Sequence, residues 1–514
     1  MANLFEQRER RVIPNWRRYS STSELSELSF APNDDEGGPK RILLIADYKE
    51  AWDRSKTPAI AGDLLSAAFV NGFMDDEVVR NAATYLIKAG NRATSAQMNL
   101  ANLVLRTVKS TADQPSSEET AGKFSSDRYY GEIRHLRQLI NEHPYNSILY
   151  VEISRIYAIL GLELKSIRNM LMALSLAPTN RFILRAAVRL FVHYDKASYI
   201  HNILRKSPLL TIDPWITSAE IALATIRQKE SLHIRHGIRM IESGRYSWHS
   251  LTELASSVGT VEYLSGNKKK AINLLKKALL SPNDNTLAQI AWINSKIPLL
   301  ETNPRNYQVQ NTYEALALND YFNRSFESAL NSCKSWFLDM PFSKHPITFG
   351  AHIAGALLDD YDESIRLLKT GLISHPGDPQ IINNIAYSYA LQNKISEAES
   401  YLSQIDESYS IHPDSRICLT ATRGLIRFRK GDTEGGSAHY REAIKSARLH
   451  KNAYLGWLAS LNYAREIVIG LGSEMDIVEN LISKVPDNPF FPDLLKLKAE
   501  VINLLGRCKK GKSK

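Results

Sequence analysis

Cysteine is scarce in this sequence: Cys333, Cys418 and Cys508 are the only three among 514 residues, and no two stand in a CxxC spacing. A disulfide framework and a cysteine-ligated zinc site are excluded on that count, and a reducing compartment is expected. Long apolar runs are missing too, since nothing reaches the roughly 18 consecutive residues that a membrane helix requires. Arg8, Arg10, Arg11, Arg17 and Arg18 are followed by no apolar stretch, so neither a secretory nor a twin-arginine signal is expected. A cytoplasmic location without membrane insertion is the resulting expectation. Gly and Pro, at 25 and 20 residues, are too few for collagen or low-complexity architecture, and 44% hydrophobic residues suffice for a packed core.

Motifs of catalysis are also lacking. There is no HExxH and no GxSxG, Gly470 and Gly472 have no third glycine, and Gly435-Gly436 is not followed by the Lys-Ser/Thr of a nucleotide loop. His233 and His236, like His193 and His201, share helical spacing but have no local carboxylate or cysteine to complete a metal site. Asp359, Asp360, Asp362 and Glu363 lack the glycine turn and terminal glutamate of a calcium loop, and they suit a helix N-terminus. One strand-like run, Arg41 to Asp47, ends in an acid as the first strand of many α/β enzymes does. No comparable strands follow it, so a helix or lone extended segment is expected. No catalytic, cofactor-binding or metal-ligating residue is assigned, and no cofactor is implied.

What the chain does have is charge in blocks and helices in series. Residues 128–280 carry a net +11, residues 281–420 a net −7 and residues 421–514 a net +7. A basic stretch interrupted in this way suits acidic protein surfaces better than a continuous nucleic-acid track. From Tyr129 onward apolar residues recur at helical spacing in segments broken by Gly, Asn, Asp or Pro. The pairs repeat with a period near 34, seen in Tyr150, Ile153, Ser154, Tyr157, Gly161, Ser166, Met170, Ala173 and Pro178. A small residue opens the second helix of each window at Ser166, Ala271, Ala329, Ser364, Ala398 and Gly436. Two helices that cross closely need it there. The first helix answers with Ser154, Gly259, Ala317, Ala386 and Gly424, but with His352 in one window, where a distortion is expected. Pro178, Pro341 and Pro376 close their repeats, and Pro282 lies one residue early.

On these residues the chain resembles the tetratricopeptide repeat family over about residues 129–450. The resemblance implies an all-α fold, a right-handed α-solenoid of helical hairpins. Residues 179–250, with Trp215 to Ile226 as an amphipathic helix, are expected to continue the array in divergent form. The expected organisation is a mobile N-terminal segment (1–39), an N-terminal helical region (40–110), a linker (111–127), the solenoid (128–450), capping helices (451–506) and a basic tail (507–514). In the helical region Leu64, Leu65, Ala68, Phe69 and Phe73, then Val79, Ala83, Leu86 and Ile87, form two buried faces, followed by Leu100, Leu103 and Val104.

The family frame also places residues on the concave face, built from the first helix of each hairpin. These are Glu152, Arg155, Ser256, Thr260 and Tyr263 in the basic half, and Asn311, Glu314, Leu318, Tyr321, Phe322, Asn383, Asn384 and Tyr387 in the acidic half. Family members that grip chaperone tails use Lys, Asn and Arg at fixed groove positions. Here Asn384 matches, but Phe349 and Gly350 before it and Thr422 and Leu425 after it do not, so that role is not expected. The implied function is a non-catalytic scaffold or adaptor, a subunit or regulator of a larger assembly, that holds a protein partner or peptide in its groove. Capping helices or the chain's own N-terminal segment could instead cover the groove. The alternatives are a nucleic-acid-linked regulator using residues 128–280 and an enzyme with its site near Asp47. Oligomeric state is left open.

Overall fold

The computed structural model describes residues 10–18, 37–71, 76–109, 126–294, 300, 309–406, 412–470, 475–488 and 490–511. Every regular element among them is helical, and they fall into two compact units. The smaller unit, Arg18–Ser125 with Ser243–Ser247, holds α1 (Gly37–Arg54), α2 (Pro58–Asn71), α3 (Glu77–Ala89) and α4 (Ser95–Lys109). Its core is the pair of apolar faces read from the sequence: Leu64, Leu65, Ala68, Val79, Ala83 and Leu86 are sealed, joined by Trp52, Ala101 and Val104. The side chains of Phe69, Phe73 and Leu103 lie outside the described set. Arg41 to Asp47 is helical, inside α1, and Asp47 is exposed on it. A sheet-edge carboxylate is therefore not what Asp47 provides. The expected linker lies outside the described residues except for its last two, which begin the next helix.

The larger unit, Met1–Arg17 with Ser126–Glu242 and Trp248–Lys514, is a succession of antiparallel pairs. After α5 (Ser126–Glu142) come α6 (Ser147–Ile159) with α7 (Glu163–Leu176), α8 (Arg181–His193) with α9 (Ala197–Leu204), and α10 (Pro214–Ile226) with α11 (Ile234–Glu242). Next are α12 (Trp248–Leu264) with α13 (Lys268–Ala278), α14 (Asp284–Asn294), and α15 (Tyr313–Phe322) with α16 (Phe326–Asp339). The series closes with α17 (Lys344–His352) and α18 (Tyr361–Ser374), α19 (Pro379–Leu391) and α20 (Ile395–Leu402), α21 (Pro413–Arg429) and α22 (Thr433–Leu449), α23 (Ala453–Gly470) and α24 (Met475–Ser483), and α25 (Pro492–Gly511). In the eight hairpins from α6–α7 to α21–α22 whose turns are described, the chain reverses through one left-handed residue: Gly161, Asp195, Gln228, Gly266, Arg324, Asp359, Asn393 and Gly431. That backbone signature carries the period through the divergent region, where side-chain pattern is weak.

The six small positions do what the crossing argument demands. Ser166, Ala271, Ala329, Ser364 and Ala398 are 3% exposed or less, and Gly436 is buried with them. In the first window the helices approach so closely that the Oγ of Ser154 donates to Ser166 O at 2.8 Å, and that of Ser166 donates to Ser154 O at 2.8 Å. In the window with His352, a π-helical turn over Ile353–Leu357 follows the α-helix. It brings Gly355 against Ser364, where a Cβ would stand 3.3 Å from the serine Oγ. The imidazole of His352 is directed instead toward Asp493, 3.8 Å away. The distortion expected there is a one-turn change of helical register.

Three expectations need correction. The helix Pro214–Ile226 is buried on every side from Pro214 to Ala224 rather than amphipathic, because neighbouring helices cover both of its faces. The basic end is helical as far as Gly511, with Cys508 Sγ 3.9 Å from Val468 O and partly buried against the last hairpin. Residues 10–17, placed in a mobile segment, are packed into the larger unit; Val12 and Trp16 are 1% exposed.

The array also meets itself. Gly161, in the turn between α6 and α7, has φ +67°, and a Cβ on it would lie 2.8 Å from Ile373 O and from Pro376 Cδ. Gly161→Ala therefore meets both a left-handed backbone and a backbone clash. A loss of about 2 kcal/mol is expected in denaturant titration; an unchanged midpoint would show that this contact is not held in solution.

Candidate functional site on the inner helices

Helical pairs leave their first helices side by side, and residues 10–17 lie against three of them, α8, α14 and α15, and against the end of α16. The segment is neither helix nor strand, with one tight turn in which Ile13 N donates to Arg11 O at 2.8 Å. Its carbonyls, which no ladder satisfies, are taken by side chains. Gln289 Nε2 donates to Arg10 O at 3.0 Å, Asn285 Nδ2 to Ile13 O at 3.0 Å, and Arg189 Nε to Pro14 O at 2.7 Å. These three residues come from α14 and α8, whose inward faces are fixed by the pairing described above.

Side chains of the segment are held as specifically. Arg10 forks onto Glu314 of α15, with Nε at 2.7 Å and Nη2 at 2.9 Å, and also donates to Gln289 Oε1 at 2.8 Å and Asn285 Oδ1 at 3.0 Å. Asn15 uses both ends of its amide: Nδ2 donates to Asp284 at 2.7 Å and Oδ1 accepts from Arg189 at 2.6 Å. Arg17 bridges Asp339 at the end of α16, 2.7 Å away, and Asp284 at 2.5 Å. Trp16 rests on Phe342 with ring centroids 5.3 Å apart. Glu253 supports the floor by accepting from Asn285 at 3.0 Å while pairing with Arg185 at 2.8 Å.

Electrostatics follow from burial. Burial alone would raise the Glu314 carboxyl, but the Arg10 guanidinium holds it below its ordinary value. Burial, with repulsion from Arg10 and Arg17, lowers Arg189 to about 10. Beside the segment, His193 packs on Phe342 and His375, with ring centroids 5.4 and 5.0 Å away. Burial lowers His193 to about 3 and His375 to about 4. Both are neutral in the fold and would take up protons near 6.5 when unfolded, so their contribution is complete above that pH and declines as the pH falls toward 4. The Glu314 pair weakens in the same direction at lower pH. Thermal midpoints between pH 8 and pH 4.5 should therefore drop by about 5 °C or more on acidification, and a flat profile would contradict these burial assignments.

Of the concave-face residues named from the sequence, the structure brings Glu314 to the segment. Glu152 and Arg155 pair with each other at 3.5 Å, both buried. Tyr263 and Leu318 are half-buried in an apolar cluster with Leu275, Ile290 and Trp292. Asn311 occupies a turn with φ 59°. Tyr321, 1% exposed, meets Phe322, Phe326 and Phe349 edge-on, and Tyr387 donates its hydroxyl to Asn462 at 2.9 Å. Asn383 and Asn384 are buried on the same helix as Tyr387. Tyr321 and Tyr387 are thus buried, correcting the expectation that they line an open groove; Phe349 of the next repeat meets Tyr321, and Asn462 further along accepts from Tyr387. Arg10, Asn15, Trp16, Arg17, Arg189, Asp284, Asn285, Gln289 and Asp339 were not singled out as a site. The available signal was Val12, Ile13 and Trp16 set among arginines in an otherwise polar stretch.

The histidine pairs bind protein groups. His201 bonds Glu220 at 2.8 Å and Arg227 at 2.6 Å, while His236 bonds Thr211 O at 2.8 Å. Asp360 caps α18, accepting from Glu363 N at 2.9 Å. No helix among the described residues is long and apolar enough to cross a membrane.

Helical hairpins make up the larger unit, the architecture that the resemblance to the tetratricopeptide family implies. No family model matches the chain, and no curated protein matches it. Among solved structures, yeast Tom70 is similar at 14% identity with a TM-score of 0.32, over 89% of this chain and 96% of that one. A chain of the APC/C hetero-tetramer Cut9-Hcn1 is similar at 14% identity with a TM-score of 0.37, over 95% and 99%. Likenesses this distant carry no weight here, and the hairpin type rests on the crossings and turns described above.

Proposed function

We propose that the protein is a non-catalytic scaffold or adaptor that holds a protein partner or peptide on its inner helices, as a subunit or regulator of a larger assembly. One observation supports this reading above others: the inner layer already holds a non-helical segment, residues 10–17, through its backbone carbonyls and its side chains together. That is the chemistry of peptide capture in a groove. Affinity capture from host cells with cross-linking tests it. The expected product is a defined protein linked to first-helix residues, and recovery of no protein would count against the scaffold.

A nucleic-acid role has narrower support. Arg155, Arg181, Arg185 and Arg189, all from the basic block, are engaged within the protein. Arg205, Lys206, Lys229, Arg235, Arg239, Lys268, Lys269 and Lys276 are exposed on or next to second helices. Phosphate binding there would show as retention on heparin that falls steeply with salt. Absence of retention at low salt dismisses it.

A further inference from the structure

We infer that the seat of residues 10–17 is a peptide-reading site, and that the chain's own segment occupies it in competition with a partner segment of the same chemistry. That partner segment is an extended stretch presenting one arginine, an apolar residue three positions on, and then Asn-aromatic-Arg. The inference deepens the scaffold reading and rests on it.

Three features of the seat carry the argument. The first is selectivity. Arg10 meets a carboxylate fork and two further acceptors, Gln289 Oε1 and Asn285 Oδ1, an arrangement that uses the planar guanidinium and that a lysine could not reproduce. Asn15 is read at both amide ends and Trp16 by Phe342. A spacer between helices would need bulk at these positions; it would not need these functional groups.

The second feature is tolerance elsewhere. The carbonyls of residues 10, 13 and 14 are bound by side chains of α8 and α14, contacts that any extended chain can supply. The third is charge. Glu314, Asp284 and Asp339 face the segment, and the cations that meet them are Arg10, Arg17 and, through Asn15, Arg189. Emptied, the seat would lose the two arginines that meet these carboxylates and leave Asp284 and Asp339 to repel each other. Exchange of one arginine-bearing segment for another avoids that state.

Covalent connection sets the terms of the competition. The segment's partners lie 174 to 322 residues away in sequence, so it is tethered to the array rather than built into the order of hairpins. A tether raises the segment's effective concentration at the seat, on the order of 1 mM for a short flexible connection and lower for a longer one. A free peptide of equal intrinsic affinity must approach that concentration to displace it, whereas cutting the tether removes the advantage.

The experiment uses the full chain with a protease site inserted at residue 25, folded first and then cleaved. The probe is a fluorescein-labelled peptide with the sequence of residues 8–18. After cleavage the labelled peptide should replace the released segment and saturate the seat. In the uncleaved chain the same peptide should bind at least ~100-fold more weakly. Changing both arginines of the probe, those matching Arg10 and Arg17, to lysine should cost at least tenfold in affinity, and Glu314→Gln in the protein should weaken the arginine probe. Failure of the cleaved chain to exchange its segment, while it remains folded by circular dichroism, would overturn the proposal and make residues 10–17 a permanent staple. Equal binding of a shuffled probe would overturn it as well. If cross-linking still recovers a protein partner whose capture the probe does not reduce, this inference fails while the scaffold reading stands.

Discussion

Replacing Glu314 by alanine is expected to destabilise the larger unit by about 3–5 kcal/mol, because it leaves the Arg10 guanidinium buried with its fork unfilled. Arg10 is 6% exposed and reaches Glu314 at 2.7 and 2.9 Å, so water cannot replace the lost carboxylate without the segment lifting away. Arg10→Ala should cost a comparable amount, since it strands the carboxylate together with Asn285 and Gln289. Changing both, Arg10→Met with Glu314→Met, should cost much less than the two single losses added, because apolar groups of similar size need no partner. The measurement is a double-mutant cycle by denaturant titration, and a coupling of at least about 1.5 kcal/mol is expected for a close, desolvated pair. Additive effects would mean that the two side chains do not meet in solution. Hydrogen exchange offers a second view: Glu314→Ala should raise exchange in α14 and α15, which flank the segment, and leave α21 and α22 unchanged.

That pair also marks where sequence reasoning stops. Helical crossings are legible because they are local and periodic. Ala329, Ser364, Ala398 and Gly436 follow one another at steps of 35, 34 and 38, and the reason for a small side chain is the same there as at Ser166 and Ala271. The family frame likewise placed Glu314 on the inner face. Residues 10–17 have no period to read, and their partners are hundreds of residues distant, on helices whose inward faces are known only once the array is assembled. Tyr321 and Tyr387 failed for a related reason. The frame tells which side of its own helix a ring occupies, but coverage by Phe349 or Asn462 depends on how the following repeats stack. His352 lies between these cases: its bulk foretold a distortion, and only the coordinates show a π-turn that substitutes Gly355 for it.

The crossings can be tested as directly as the segment. A Cβ at Gly436 would stand 2.4 Å from Phe428 Cδ2 and 3.0 Å from Gly424 O; one at Gly424 would stand 3.0 Å from Tyr440 Cδ2 and 3.1 Å from Gly436 O. The two glycines therefore face each other across α21 and α22, and neither neighbour is the far end of a flexible chain. Gly436→Val must push the helix axes apart, and a loss of about 3 kcal/mol or more is expected in the C-terminal repeats. Gly131 is the control, since it lies in α5 with nothing within 4 Å of its Cβ direction. There Gly131→Ala removes only the entropic cost of glycine in a helix and should stabilise by up to about 1 kcal/mol. The opposite signs separate close crossing from helix propensity, because propensity alone would make both substitutions neutral or favourable. Since each repeat packs chiefly on its neighbours, the Gly436→Val loss should appear as early unfolding of α21 to α25, with protection around residues 10–17 preserved. Simultaneous loss of both regions would instead show that the larger unit folds as one cooperative block.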